Sequence, residues 1–166
     1  MTAIDDKWRQ LAWLGPPVDE GAGSEEMALP DGRGRARDFQ NGSIYWTPEH
    51  GAWEVHGAIR VKWAQLGGVR SVLGYPVSDE AGCGPGAGRF NHFEGGSIYW
   101  REATGAHEVH GAIRDLWAHL GWQSSWLGYP VTDEHGTPDL RGNTFEHGTI
   151  TWTPSGGAKA QPKLDQ

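Results

Sequence analysis

Cysteine is nearly absent: Cys83 is the only one in 166 residues, so no intramolecular disulfide and no thiolate zinc cage can form. Long apolar runs are missing as well, and no segment approaches the roughly 18 apolar residues of a membrane span. The opening Met1-Thr2-Ala3-Ile4-Asp5-Asp6 lacks the basic start and apolar stretch of a signal peptide. Lys and Arg nowhere cluster with aromatics, and the net charge of −7 makes nucleic acid a poor partner. No Gly-x-Ser-x-Gly elbow occurs, and the glycine-rich stretch Gly82-Cys83-Gly84-Pro85-Gly86-Ala87-Gly88 lacks the Lys-Ser/Thr ending of a phosphate loop. It reads as an insertion between repeats.

What is present is tryptophan and repetition. Only 37% of the chain is hydrophobic and 26 residues are Gly, yet ten Trp supply large buried surfaces at few positions, which argues against disorder. Gly57-Ala58-Ile59-Arg60-Val61-Lys62-Trp63 returns as Gly111-Ala112-Ile113-Arg114-Asp115-Leu116-Trp117, and Leu73-Gly74-Tyr75-Pro76-Val77-Ser78-Asp79-Glu80 returns as Leu127-Gly128-Tyr129-Pro130-Val131-Thr132-Asp133-Glu134, both at an offset of 54 residues. An altered first copy runs from Ile4 and Trp8 to Leu14-Gly15-Pro16-Pro17-Val18-Asp19-Glu20. A third block, Phe39…Ile44-Tyr45-Trp46, recurs as Phe93…Ile98-Tyr99-Trp100 and Phe145…Ile150-Thr151-Trp152. Self-similarity at a fixed period marks units that bury their faces against one another.

Within a unit the apolar period changes. Ile4/Trp8/Leu11, Ile59/Trp63/Leu66 and Ile113/Trp117/Leu120 fall at i, i+4, i+7, one stripe of a short helix. The Leu-Gly-x-Pro corner follows, where Gly admits left-handed backbone and Pro stops the helix. Residues 43–56 and 97–110 then read as two strands about a turn. The expected fold is α+β: three tandem helix–loop–β-hairpin units of about 54 residues around a pseudo-rotational axis, like a small propeller, with an open solenoid as the alternative. One domain over 1–158 is expected, in units of roughly 1–56, 57–110 and 111–158. The third hairpin lacks the Val-His ending and reads as damaged, with 159–166 as a mobile tail.

Three sequence blocks carry a resemblance: Gly-Ala-Ile-x-x-x-Trp, Leu-Gly-x-Pro-x-x-x-Glu, and Phe-x-x-Gly-x-Ile-x-Trp followed by Gly-Ala. The pattern resembles the LGFP repeat family over nearly the whole chain, with Tyr75 and Tyr129 where the family name has Phe. Such repeats are typically actinobacterial, attached to envelope hydrolases and mycolyltransferases that they are thought to hold on wall polysaccharide. The resemblance therefore implies a binding module for cell-wall or other glycan in the envelope or outside the cell. The missing signal leaves a cytoplasmic place open, and a protein-interaction scaffold is the alternative.

The repeated pairs Asp19/Glu20, Asp79/Glu80 and Asp133/Glu134 invite comparison with the two carboxyls of a glycosidase, but chemistry needs one asymmetric constellation. Identical placement in every copy suits backbone hydrogen bonding, so no catalytic residues are expected. His107-Glu108-Val109-His110 places its two rings at i, i+3, on opposite faces of a strand, so neither metal nor cofactor is expected. His56 and His110 repeat, which suits a shared structural hydrogen bond. Because Ile44 and Trp46 share one strand face and Tyr45 the other, the constant Ile/Trp face is read as core, together with Trp8, Trp63 and Trp117. The expected ligand site is then a corner-to-hairpin groove between repeats. Tyr45, Trp53, Tyr99, Trp122, Trp126 and Tyr129 would offer flat rings there, and Asp79, Glu80, Asp133 and Glu134 would accept from sugar hydroxyls. Several weak grooves would gain avidity on a polymer.

Overall fold

The structure, a computed structural model, describes residues 1–21, 23–84 and 87–164. Positions 85 and 86 of the glycine-rich insertion and 165 and 166 of the expected tail lie outside them. The chain divides into two compact units, Met1–Glu80 with Asn91–Glu94, and Ala81–Phe90 with Gly95–Gln166.

Each of three repeats has one helix and one four-stranded antiparallel sheet. The helices are α1 (Ala3–Gln10), α2 (Gly57–Leu66) and α3 (Gly111–Leu120), each followed by a single 3-10 turn. The first sheet contains β1 (Met27–Ala28), β2 (Arg35–Phe39), β3 (Gly42–Thr47) and β4 (Gly51–Val55). The second contains β5 (Ala81–Gly82), β6 (Arg89–Phe93), β7 (Gly96–Arg101) and β8 (Gly105–His110), and the third β9 (His135–Thr137), β10 (Leu140–Phe145), β11 (Gly148–Thr153) and β12 (Gly157–Pro162). Strands neighbour one another in chain order in all three. The expected hairpin is thus the second half of a four-strand meander, whose short and polar first half carries no apolar alternation.

The third hairpin is intact. Strand β12 pairs with β11 from Gly148↔Pro162 to Thr153↔Gly157, and Lys163 N still donates to His147 O at 2.9 Å. Residues 159–162, expected in a mobile tail, are therefore sheet. Backbone pairing needs no particular side chain, and the missing Val-His ending had no bearing on it.

The corner explains its own motif. Leu14, Leu73 and Leu127 are fully buried, and the following Gly15, Gly74 and Gly128 have φ of 72°, 68° and 75°. A Cβ on Gly74 would also press on Glu94 Oε1 at 2.7 Å and one on Gly128 on Glu146 Oε1 at 2.7 Å, and the left-handed backbone itself favours Gly at both. The glycine carbonyl accepts the indole N–H of the helix: Trp8 donates to Gly15 O at 2.8 Å, Trp63 to Gly74 O at 3.1 Å, Trp117 to Gly128 O at 3.2 Å. The Pro then bridges to the strand Phe, as Pro17↔Phe39, Pro76↔Phe93 and Pro130↔Phe145. Each Trp also packs its ring on that Phe, at 5.3–5.5 Å.

In the first two sheets the third strand is covered on both faces. Ile44 is buried with Ile4, Leu14 and Phe39, with Trp8 and Trp46 packed around them. Tyr45, on the other face, meets the edge of Trp63 at 4.7 Å, and Tyr99 meets Trp117 at 4.6 Å. Burying such side chains is worth roughly 2 kcal/mol each. The Ile/Trp face is core as expected, but the tyrosine face is not open to solvent in the way that its variation suggested.

Candidate functional site

Two clusters of buried charge repeat at the ends of β4 and β8. His56 precedes α2 and its Nδ1 lies 2.8 Å from Glu54 Oε2, its Nε2 3.1 Å from Glu80 Oε2. His110 precedes α3 and repeats this with Glu108 at 2.7 Å and Glu134 at 3.1 Å. A ring with acceptors at both nitrogens must donate from both, hence carry charge. The Glu54 and Glu80 carboxylates accordingly push the His56 pKa up to about 9, and Glu108 above all raises that of His110, opposed by burial and by Arg141. The expected structural role of these histidines is what the geometry shows.

The remaining carboxylate oxygens serve backbone. Glu54 Oε1 accepts from Glu80 N and Glu108 Oε1 from Glu134 N, both at 2.8 Å. Asp79 Oδ1 accepts from Glu54 N at 3.0 Å and Asp133 Oδ1 from Glu108 N at 3.1 Å. Asp79 also binds Lys7 Nζ at 2.6 Å, which lies over the Trp53 ring, whereas Asp133 faces His107 at 3.3 Å. The first acid of this series is not Glu20, as the sequence alignment had it. An insertion after Val18 moves the role to Glu26, which directly precedes β1 as Glu80 precedes β5, and which binds Arg35 Nε at 3.0 Å as Glu134 binds Arg141 Nε at 2.8 Å. The Thr2 hydroxyl, donating to Glu26 at 2.7 Å, stands where the histidine stands in the later copies.

The sequence-predicted residues separate accordingly. Tyr99 and Tyr129 are 2% and 5% exposed and are core rather than platforms, because the next helix covers one and the corner holds the other. Tyr45 is half-buried against Trp63, and Glu80 and Glu134 are committed to histidine. Trp53 spends its indole N–H on His50 O at 2.6 Å across the hairpin turn. Trp122 stacks on Tyr99 at 5.8 Å. Of the named rings, Trp126 stays open at 47%, matched by Trp13 at 46% in the same place before the first corner.

A groove of about 1100 Å³ runs along the third sheet, lined by Thr144, Phe145, Thr149, Gln161, Pro162 and Lys163 among others. Thr144, Thr149 and Gln161 are direct cross-strand partners and form one polar row. In the first two repeats the middle of this row is Ser43 or Ser97, fully buried beneath the next helix, whose Arg60 or Arg114 Nε donates to the hydroxyl at 2.9 or 2.8 Å. The groove is the third repeat's version of that seat. Sequence reading missed it because it requires knowing which sheet face the following helix covers.

Among the described residues no group of three or more His, Cys, Asp or Glu is arranged to hold a metal, and no helix is long and apolar enough to cross a membrane. The family model described as LGFP repeat matches the chain three times, over residues 14–71, 73–125 and 127–162. These matches start at the Leu-Gly corners, which in the second and third units lie 16 residues after the first residue of the helix. No curated protein matches the chain.

Proposed function

The chain belongs to the LGFP repeat family, and from that premise we propose that it is a non-catalytic module binding polysaccharide, of the actinobacterial envelope type, through the groove on the third sheet. The observation that carries this reading is the row Thr144, Thr149 and Gln161, flanked by the apolar side chains of Val131 and Pro162. Hydroxyl and amide groups that both donate and accept suit sugar hydroxyls, and the aliphatic and pyrrolidine surfaces beside them suit sugar C–H faces. Trp126, beside Gly148, keeps its indole half open. The absence of catalysis is part of the proposal: each buried glutamate of the two clusters is held by histidine and backbone, leaving no pair poised across open space as acid and base.

The test is retention of the purified chain on insoluble wall polysaccharide, beside a Thr149→Ala, Gln161→Ala variant whose fold is checked by circular dichroism. Wild-type retention that weakens about tenfold in the variant, the effect of two lost hydrogen bonds, is the expected result. Equal retention of both proteins, or none of either, overturns the reading.

A further inference from the structure

Repeats two and three build similar aromatic corners with two differences: Phe90 stacks on Tyr99 at 5.0 Å where Ala36 pairs with Tyr45, and the turn after the helix differs. In the third, the 3-10 turn after α3 begins with Trp122, the one non-glycine residue with positive φ, at 58°, among the described residues. Its indole lies stacked on Tyr99 (5.8 Å, 21°), edge-on to Trp117 (5.4 Å, 77°) and beneath the Arg114 guanidinium (5.0 Å). Holding a bulky residue in left-handed backbone costs on the order of 1 kcal/mol, which the packing of the ring offsets.

In the second repeat the same turn begins with Gly68, at φ 61°, and has no side chain to fill the place. The tyrosine, tryptophan and arginine walls nevertheless correspond. Tyr45 stands edge-on to Trp63 (4.7 Å, 89°) as Tyr99 does to Trp117 (4.6 Å, 76°), and each tyrosine lies 6.4 Å from the corner tyrosine. Arg60 is tied by Nε to Ser43 Oγ at 2.9 Å as Arg114 is to Ser97 at 2.8 Å, with its Nη2 3.6 Å from Asp38, so the guanidinium is anchored at the wall of the cleft. What remains is a cleft of about 500 Å³ bounded by Tyr45, Arg60, Trp63 and Gly68, with Val61 exposed on its rim. That volume is within the range of ligand pockets.

We propose that this cleft is a binding site for a planar aromatic ring, the tryptophan side chain of a partner polypeptide. The third repeat shows the bound arrangement with its own indole: face on tyrosine, edge to tryptophan, guanidinium above. Aromatic pairing and cation–π attraction supply the recognition. This site is separate from the polysaccharide groove and stands or falls independently of it.

The experiment titrates the full chain with N-acetyl-tryptophanamide, indole and methyl glucoside, following the ring resonances of Tyr45, Trp63, Tyr99 and Trp117 by NMR. Both aromatic probes are expected to shift Tyr45 and Trp63 with one site per chain, and methyl glucoside to shift neither. Gly68→Trp, which refills the cleft as Trp122 does, is expected to weaken binding at least about tenfold, and Trp122→Gly to open a second site that shifts Tyr99 and Trp117. Tyr45→Thr, the residue type of the third sheet at that register, removes the stacking face without touching the turn and is expected to abolish the shifts. Silence of Tyr45 and Trp63 with either aromatic probe, equal response to methyl glucoside, or undiminished binding in Gly68→Trp or Tyr45→Thr overturns the proposal.

Discussion

Strands β4 and β8 end on Glu-Val-His, and at the same register β12 carries Ala160-Gln161-Pro162: Glu54 sits opposite Ile44, Glu108 opposite Ile98, Ala160 opposite Ile150. The first two sheets hand over directly to another helix, and their buried carboxylates and histidines fix that hand-over. The third sheet drops the whole charge cluster along with the apolar face beside it. Val55 and Val109 become Gln161, Tyr45 and Tyr99 become Thr151, and Trp53 and His107 become Lys159. A copy that looked damaged in sequence is an intact sheet with polar residues at the positions where the other two carry apolar ones. Conversely, the buried charge belongs to the joint between a strand and the helix after it, and not to the repeat as such.

The largest way to break the comparison is His110→Ala against Pro162→Ala. Removing the ring leaves Glu108 and Glu134 facing each other without their shared donor, an expected loss of about 3 kcal/mol in urea unfolding free energy. Pro162→Ala at the matching register should change stability by less than about 0.5 kcal/mol. Similar losses in the two variants would mean that the clusters contribute nothing to the joints.

Next in size is the pH response of the first cluster. His56 titrates near 6.5 in the unfolded chain and at about 9 when folded, so the folded state binds the proton more tightly. The stabilisation is complete below about pH 6.5 and is lost as pH rises through 9, roughly 2 kcal/mol after allowing for partial exposure. Unfolding free energies measured from pH 6 to 10 should show this decline in the wild type, and His56→Gln should flatten it. An unchanged decline in the variant would assign it to other groups.

A smaller effect comes from restoring the residues of the first two sheets to the polar face of the third. Thr151→Tyr with Gln161→Val recreates the apolar pair of the first two sheets at a place where Thr151 is half-buried and Gln161 exposed. Stability should move by under about 1 kcal/mol, while the exposed patch favours self-association. Sedimentation at matched concentration should show a higher mass average for the variant than for the wild type. Equal masses would mean that the polar substitutions on the third sheet are not what keeps that face unpaired.

Much of this was legible in the chain, and the limits have physical causes. The i, i+4, i+7 stripes, the Leu-Gly-x-Pro corners and the Ile-x-Trp strands gave three repeats of helix, corner and hairpin, because large apolar side chains write their periodicity into sequence. Strands such as Arg35–Phe39 do not, since they are held by backbone pairing and carry mixed polar residues. Tyr99 was misread as a ligand platform because alternation tells which residues share a face but not whether a second layer covers it. The repeated Glu-Val-His was visible as a repeat, and its histidines were rightly given a structural bond. That they lie between two glutamates follows only from the fold, which brings Glu80 and Glu134 back beside β4 and β8.

The finest comparison concerns the corners themselves. Glu94 and Glu146 occupy the same turn and do the same thing, accepting from Tyr75 N at 3.0 Å and Tyr129 N at 2.9 Å, yet their arginine partners are unrelated. Arg33 comes from the β1–β2 loop and lies 2.6 Å from Glu94, whereas Arg101 ends β7 and lies 3.0 Å from Glu146. Two different solutions around one carboxylate indicate that its bond to the corner backbone is the constant, and that the arginine is accessory. Arg33→Ala is therefore expected to cost under about 1 kcal/mol, as exposed ion pairs do, and Glu94→Ala more, because a half-buried backbone N–H loses its acceptor. Arg33, ahead of the tyrosine N–H, holds the Glu94 pKa down to about 2. The corner's contribution is present above about pH 4.5 and lost only as pH falls toward 2. Unfolding free energies of the two variants at pH 7 and pH 5 should therefore show the same ranking at both, and a larger loss for Arg33→Ala than for Glu94→Ala would make the ion pair, not the backbone bond, the constant of the corner.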